Sequence, residues 1–366
     1  MMIQYIVRRI ITSIPVLLGI LFFTFAMARL IPGDPCRAIL GEKATKALCD
    51  DWNYQHGLTD QNGKKLSVFV QFPKYMGEVL HGDFGSSIRY SLPVTRLLVE
   101  RLPTTVELSI AALMISMLVG IPLGVISAVK HNSWVDVTMM VWANVGVSMP
   151  VFWLGLMLAY IFSILLKDTP FWLPPSGRVS PGVIDTPFYE VWGMTVPQAG
   201  LWLSTLQFIS RLNILNSLLT ANWDLLKDSI QHLILPAAAL GTIPMALIAR
   251  MARSAMLDVL GQDYIRTARA KGLKNSVVIL KHAFRNSLLP LVTVIGLSLG
   301  SLLGGAVLTE TIFGLSGVGR ILYDAITARD YGIVQAFTVV IAIFFVALNL
   351  LVDVSYAYLD PRIRLN

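Results

Sequence analysis

The chain has 366 residues, of which 55% are apolar and only 14% charged. Soluble domains carry about 25% charged residues, and here the apolar residues come in long uncharged blocks, which excludes an ordinary soluble protein and indicates a membrane protein. The net charge of +7 does not require nucleic acid as a partner, because basic residues at the ends of membrane spans account for it.

Arg8 and Arg9 precede Ile10–Ala28, an uncharged run just long enough to cross a bilayer. Ala26-Met27-Ala28 resembles a signal-peptidase site, so removal of this run is the alternative to a retained first span. Residues 32–103 are mixed in charge, and Ile31-Pro-Gly-Asp-Pro35 and His81-Gly-Asp-Phe-Gly-Ser86 read as turns. A loop this long is only weakly governed by the positive-inside rule. The two cysteines, Cys36 and Cys49, lie in it on the outer side, where they could form a disulfide; two free thiols are the other reading. No CxxC or Cys/His grouping occurs, so no zinc or other metal site is expected.

Leu108–Val129 is the second uncharged run, closed by Lys130-His131. Val137–Leu166 is the third, interrupted by Pro150, which frees a backbone carbonyl that neighbouring helices or cavity water must satisfy. Lys167–Gln231 opens with a Pro-rich stretch from Pro170 to Pro187. Within it Gly200–Thr220 carries a helical stripe of Leu201, Phe208, Leu212, Leu215 and Leu219. Arg211 at the centre of a span costs about 2.5–3.5 kcal/mol on the insertion scale. An amphipathic helix on the outer surface is therefore expected there, rather than a further crossing.

Leu233–Ala249 is the fourth run. Arg250, Arg253, Arg266, Arg269, Lys271, Lys274, Lys281 and Arg285 follow it against Asp258 and Asp263, which places this segment inside. Ser287–Thr309 is the fifth span. Gly296, Gly300 and Gly304 recur in it at every fourth residue, and close helix packing is the favoured reading over pore lining. Tyr331–Val352 is the last, and Asp360-Pro-Arg-Ile-Arg364 ends the chain inside.

The organising stretch is Asp263–Pro290. Asp263 reads as an N-cap and Gly272 as the residue after a helix end, with Tyr264–Lys271 as about two helical turns between them. Ile265 and Ala268 share one face, and Arg266, Arg269 and Lys271 spread over the rest. A second helix starts at Asn275 or Ser276. Such a capped helix at the membrane surface is a handle for another protein; an ordinary positively charged loop is the plainer reading.

The run Met256-Leu-Asp-Val-Leu-Gly-Gln-Asp-Tyr-Ile-Arg-Thr-Ala-Arg-Ala-Lys-Gly272 resembles the long cytoplasmic loop of B-type permeases of the dipeptide/oligopeptide/nickel ABC importer family. The Glu-Ala-Ala triplet of that family's ATPase-docking motif stands here as Arg266-Thr267-Ala268, followed by Gly272. The Glu is missing, and Leu289-Pro290 lies farther from Gly272 than in sugar importers. His81–Ser86, Thr309-Glu-Thr-Ile-Phe313 and Gly317-Val-Gly-Arg320 also resemble outer-face segments of the family. The resemblance covers nearly the whole chain except roughly residues 167–227.

The resemblance implies an all-α, polytopic transmembrane helix bundle of six spans with the type I ABC importer permease fold, its extracytoplasmic loops carrying short helices. It also implies a C-type permease partner, two ATPase subunits that hold the ATP and Mg, and an extracytoplasmic solute-binding protein. Asp263, Tyr264, Arg266, Ala268, Arg269, Lys271 and Gly272 would dock on the ATPase, with the small Ala268 and Gly272 in closest contact. Motion would pass through Met251–Gly261 and His282–Pro290 to the spans.

On this reading residues 1–31 are the N-terminal tail and first span, 32–103 an outer loop, 104–166 the second and third spans, and 167–231 an outer insertion. Residues 232–359 hold the last three spans with a coupling loop at 250–286, and 360–366 form the cytoplasmic end. No GxxxxGK[ST] or HExxH occurs and the histidines are scattered, so neither an ATP site nor a hydrolase is expected in the chain and no cofactor is called for. Glu107 and Asp353 read as span-end residues solvated by headgroups. A carboxylate near the midplane, usual in ion-coupled carriers, is missing, which sets the ion-coupled transporter or channel second to a subunit driven by a separate ATPase.

Overall fold

Backbone polar groups have no water to bond within a bilayer, so long apolar runs close their hydrogen bonds as helices. The structure, a computed structural model, describes residues 2–30, 36, 41, 44–55, 57–60, 63–87, 89–197, 200–304 and 307–359. The turn at Ile31–Pro35 and the end segment Asp360–Arg364 lie outside the described residues.

Helix α1 (Met2–Leu30) leaves most of its apolar surface exposed. Short helices α2 (Lys46–Gln55) and α3 (Val68–Leu80) follow. Phe22 and Phe25 of α1 stack against Phe69, Phe72 and Tyr75 of α3. Cys36 and Cys49 are joined by a disulfide.

Helix α4 runs over Val94–Val129. It begins well before the uncharged run at Leu108, so the end of the expected outer loop is helical. The charged residues Arg96, Glu100 and Arg101 mark the part of α4 that stands beyond the hydrocarbon: 36 residues rise about 54 Å at 1.5 Å each, against a core of about 30 Å. Its chief neighbour is α10 (Trp223–Leu260). The two backbones touch where a Cβ on Gly241 would fall 2.7 Å from Ala112 O, and Ser116 Oγ donates to Gly241 O at 2.6 Å.

The third apolar run is not one rod. Helix α5 (Trp134–Ser148) and helix α6 (Val151–Ala159, continued by a π-helical turn Tyr160–Leu165) meet at a bend of 100°. Met149, forced out of the helical region by Pro150, has φ −97° and ψ 137°. Both halves pack on α10, and the first also packs on α4. Asp136 at the start of the pair meets Ser127, whereas Arg178, in the loop that follows Leu165, meets Glu107. Those two positions of α4 lie about 30 Å apart by helical rise. Ile6–Met27 and the long helices α4, α10, Asn275–Leu303 and Tyr331–Ser355 are five span-length apolar helices among the described residues, and the bent pair counted as one span makes six.

Residues 167–222 carry α7 (Phe188–Val191), α8 (Leu201–Ser210) and α9 (Asn213–Leu219). The single amphipathic helix expected over Gly200–Thr220 is thus two, broken at Arg211-Leu212, and each is too short to cross a membrane. Asn216 holds this region together: it accepts from Phe188 N at 2.9 Å and donates to Asp185 Oδ1 at 2.9 Å and to Thr186 O at 3.0 Å. Its polar atoms are satisfied inside the insertion, which is why an Asn can sit in a helix fully buried.

Helix α11 spans Asp263–Ala270, and α12 (Asn275–Val277) passes through a π-helical stretch, Val278–Phe284, into α13 (Arg285–Leu303). Two short helices, α14 (Val307–Ile312) and α15 (Val318–Thr327), precede the last span α16 (Tyr331–Leu359). Cβ atoms added at Gly296 or Gly300 of α13 would collide with Val352 or, at 2.6 Å, with the Phe345 ring of α16. Among the described residues a Cβ on Gly304 would meet only Ser301 O of its own turn, at 3.2 Å, so the expected three-glycine face is a two-glycine contact.

Candidate functional site

Helix α11 starts where Gln262 is still extended (φ −75°, ψ 149°), so Gln262 rather than Asp263 occupies the N-cap position and Asp263 is the first helical residue. Its carboxylate there favours the positive helix end. At the other end Gly272 takes φ +75°. Gly272 N donates to Arg269 O at 2.9 Å and Leu273 N to Ala268 O at 3.4 Å, the paired bonds of a Schellman stop.

Helical spacing sorts the side chains. Ile265 and Ala268 are buried and pack on Ala128 of α4, Met256 of α10, and Val278 and Ala283 of the π-helical stretch. Ala268, the residue expected in closest contact with a partner, is buried with its methyl in the chain's own core. Asp263, Tyr264, Arg266, Arg269, Lys271 and Gly272 all remain exposed. Asp263 and Arg266 approach to 3.4 Å but stand 94% and 77% exposed, so their pairing adds little. Tyr264 Oη accepts from Asn286 Nδ2 at 3.0 Å, tying this face to the start of α13. Helices α4 and α10, the π-helical stretch and α13 thus all meet α11 beneath its basic face.

A second constellation lies at the same end of the bundle and was not singled out in the sequence. Arg253 of α10 donates from Nε to Asp136 Oδ1 at 2.8 Å and from Nη2 to Oδ2 at 2.7 Å. Asp136 also accepts from Ser127 Oγ and from Asn132 N at 3.1 Å. One turn away, Arg250 Nη1 reaches Asn144 Oδ1 at 2.5 Å. The usable signal was Ser133-x-x-Asp136, a helix-start pattern ahead of an uncharged run; Ser133 Oγ indeed accepts from Asp136 N at 3.4 Å.

At the opposite end Glu107 is not a headgroup-solvated residue. It is buried, pairs with Arg178 Nη2 at 2.8 Å and accepts from Ile214 N at 2.8 Å, fastening the insertion to α4. Asp353 is likewise paired, with Arg9 at 3.0 Å. Glu310, within the Thr309–Phe313 motif, is fully buried and accepts from Thr105 Oγ1 at 2.7 Å and Arg320 N at 3.1 Å.

The family described as binding-protein-dependent transport system inner membrane component matches residues 120–365, and its N-terminal companion matches residues 2–109. The dipeptide transport system permease protein DppB of Alkalihalophilus pseudofirmus is 43% identical over 363 residues, 99% of this chain and all of that protein. DppB of Escherichia coli is 42% identical over 99% of both chains. The oligopeptide transport system permease protein AppB of Bacillus subtilis is 37% identical over 99% of this chain and all of that one. A solved structure of the MetNI methionine ABC transporter, inward facing, covers 72% of this chain and 96% of its own with 17% identity and a TM-score of 0.45.

Proposed function

This chain belongs to the family of binding-protein-dependent transport system inner membrane components, and on that premise we propose that it forms half of a translocation pathway for dipeptides or oligopeptides in an ATP-driven importer. The observation that carries the reading is similarity to dipeptide permeases along the full length of both chains. Its partners are a second permease of the C type, two ATPase subunits and an extracytoplasmic solute-binding protein. The chain itself hydrolyses nothing; ATP and Mg belong to the ATPases. Both termini and the α11 plate face the cytoplasm, in keeping with the basic bias of residues 250–286.

The α11 plate suits the docking role on three counts. It is basic and exposed outward, its apolar face is buried inward, and its backbone is stopped at both ends. The ATPases would move α11 as a rigid unit, and the Asp136–Arg253 pair would carry that motion from α10 to the broken span α5–α6. Affinity isolation of this chain from native membranes tests the reading. Recovery of two ATPases, a second permease and a binding protein whose bound ligand is a short peptide by mass spectrometry is the expected result. Isolation without ATPases, with uptake following an ion gradient, overturns it.

A further inference from the structure

At the outer end of the bundle, α4 and α15 enclose a polar pocket of about 200 Å³ with Tyr90, Arg101, Ser316, Gly317, Arg320 and Asp324 in its wall. Neither Arg101 nor Arg320 makes an ion pair among the described residues. Arg101 Nε is buried with no hydrogen-bond partner among the described residues. Leaving such a donor unsatisfied is costly, and native structures rarely do so without a ligand or water to fill the place. Across the pocket the Tyr90 hydroxyl donates to Asp324 Oδ2 at 3.4 Å.

The floor holds these groups at fixed spacing. Thr105, one turn along α4 from Arg101, donates to Glu310 Oε1 at 2.7 Å and accepts from Val318 N at 2.8 Å, at the start of α15. Glu310 in turn accepts from Arg320 N at 3.1 Å. The two arginines are thus carried on helices that are bonded to each other. A site organised before its ligand arrives loses little freedom on binding.

We propose that this pocket binds the terminal charges of a short peptide as it enters the transporter, a proposal that rests on the peptide-importer reading above. Guanidinium groups match a carboxylate in charge and in planar geometry, so Arg101 and Arg320 receive the peptide's carboxylate. Asp324, with Tyr90 and Ser316 beside it, receives the ammonium. The mixed sign favours a small zwitterion over an acidic side chain of a partner protein, which would occupy the arginines and leave Asp324 no role.

The test uses the assembled transporter in lipid nanodiscs, without the solute-binding protein, titrated calorimetrically with Ala-Ala, Ala-Ala amide and N-acetyl-Ala-Ala. The unmodified complex should prefer Ala-Ala to both derivatives. Arg101→Gln and Arg320→Gln should each weaken Ala-Ala by about tenfold or more, and Asp324→Asn should bring Ala-Ala down to the N-acetyl peptide. The proposal fails if the unmodified complex binds no dipeptide, if the amide binds as well as the acid, or if the variants bind like the parent. Loss of the second permease or of binding-protein capture in the Arg variants, with peptide preference intact, also overturns it by assigning the arginines to those interfaces. Peptide-stimulated ATP hydrolysis by the complete transporter separates the two levels. Its presence with a failed titration removes the pocket alone, and its absence in the parent removes the importer reading as well.

Discussion

Arg253 grips both carboxylate oxygens of Asp136, at 2.7 and 2.8 Å, and so bolts the start of the broken span to the arm that carries α11. Two-point contact fixes direction as well as distance. Removing one partner of a fully buried pair costs about 3–5 kcal/mol. Here Arg253 is 29% exposed, so Asp136→Asn or Arg253→Gln should cost less, about 1–3 kcal/mol. The variants should show a lowered melting temperature in nanodiscs and reduced peptide-driven ATP hydrolysis. The exchange Asp136→Arg with Arg253→Asp should recover part of both; no recovery would mean that the pair does not act as a unit.

The glycines of α13 divide. Gly296→Val and Gly300→Val place side chains into Val352 and Phe345 and should separate α13 from α16. Overpacking of this kind costs about 1–3 kcal/mol, read as a lowered melting temperature, and Val352→Ala should relieve Gly296→Val. Gly304→Ala, whose neighbour is its own turn, should behave like the parent. Equal effects at all three positions would contradict the two-glycine contact.

Glu107 is the latch of the outer insertion, since one carboxylate serves both Arg178 and the N–H of Ile214. Glu107→Ala leaves the N–H of Ile214 without its carboxylate and takes the counter-charge from Arg178, which keeps only its bonds to Arg211 O and Asn213 Oδ1. Amide hydrogen exchange should rise across α8 and α9 while α13 and α16 stay protected. Unchanged exchange over residues 201–219 would remove the latch.

The disulfide closes a short loop, with a sequence separation of 13, for which chain entropy gives about 3 kcal/mol. Cys36→Ser should therefore loosen the outer segment around α2, raising its protease sensitivity. Non-reducing peptide mapping that finds two free thiols in the oxidised protein would contradict the bridge.

The crossings were legible because uncharged runs of span length have few other uses, and α11 was legible because Gly272 and the spacing of Ile265 and Ala268 are local signals. Three things were not. Helix α4 starts ahead of its apolar run because Arg96, Glu100 and Arg101 read as loop, although charges outside the hydrocarbon do not stop a helix. Pro150 announced an interruption, yet the size of the bend depends on packing around α5 and α6. The pairs Asp136–Arg253 and Glu107–Arg178 join residues 117 and 71 positions apart, and no periodicity within either segment records them. Ala268 shows the limit from the other side: a small residue permits close approach, and burial alone tells from which direction.

Most directly at stake is whether force enters through α11. Gly272→Trp adds a large ring where, among the described residues and its chain neighbours aside, no atom lies within 4 Å of the new Cβ, at a backbone cost of about 1–2 kcal/mol for the positive φ. Peptide-stimulated ATP hydrolysis should vanish while the protein still reaches the membrane with its spans intact. Normal peptide-coupled hydrolysis in that variant would contradict the account.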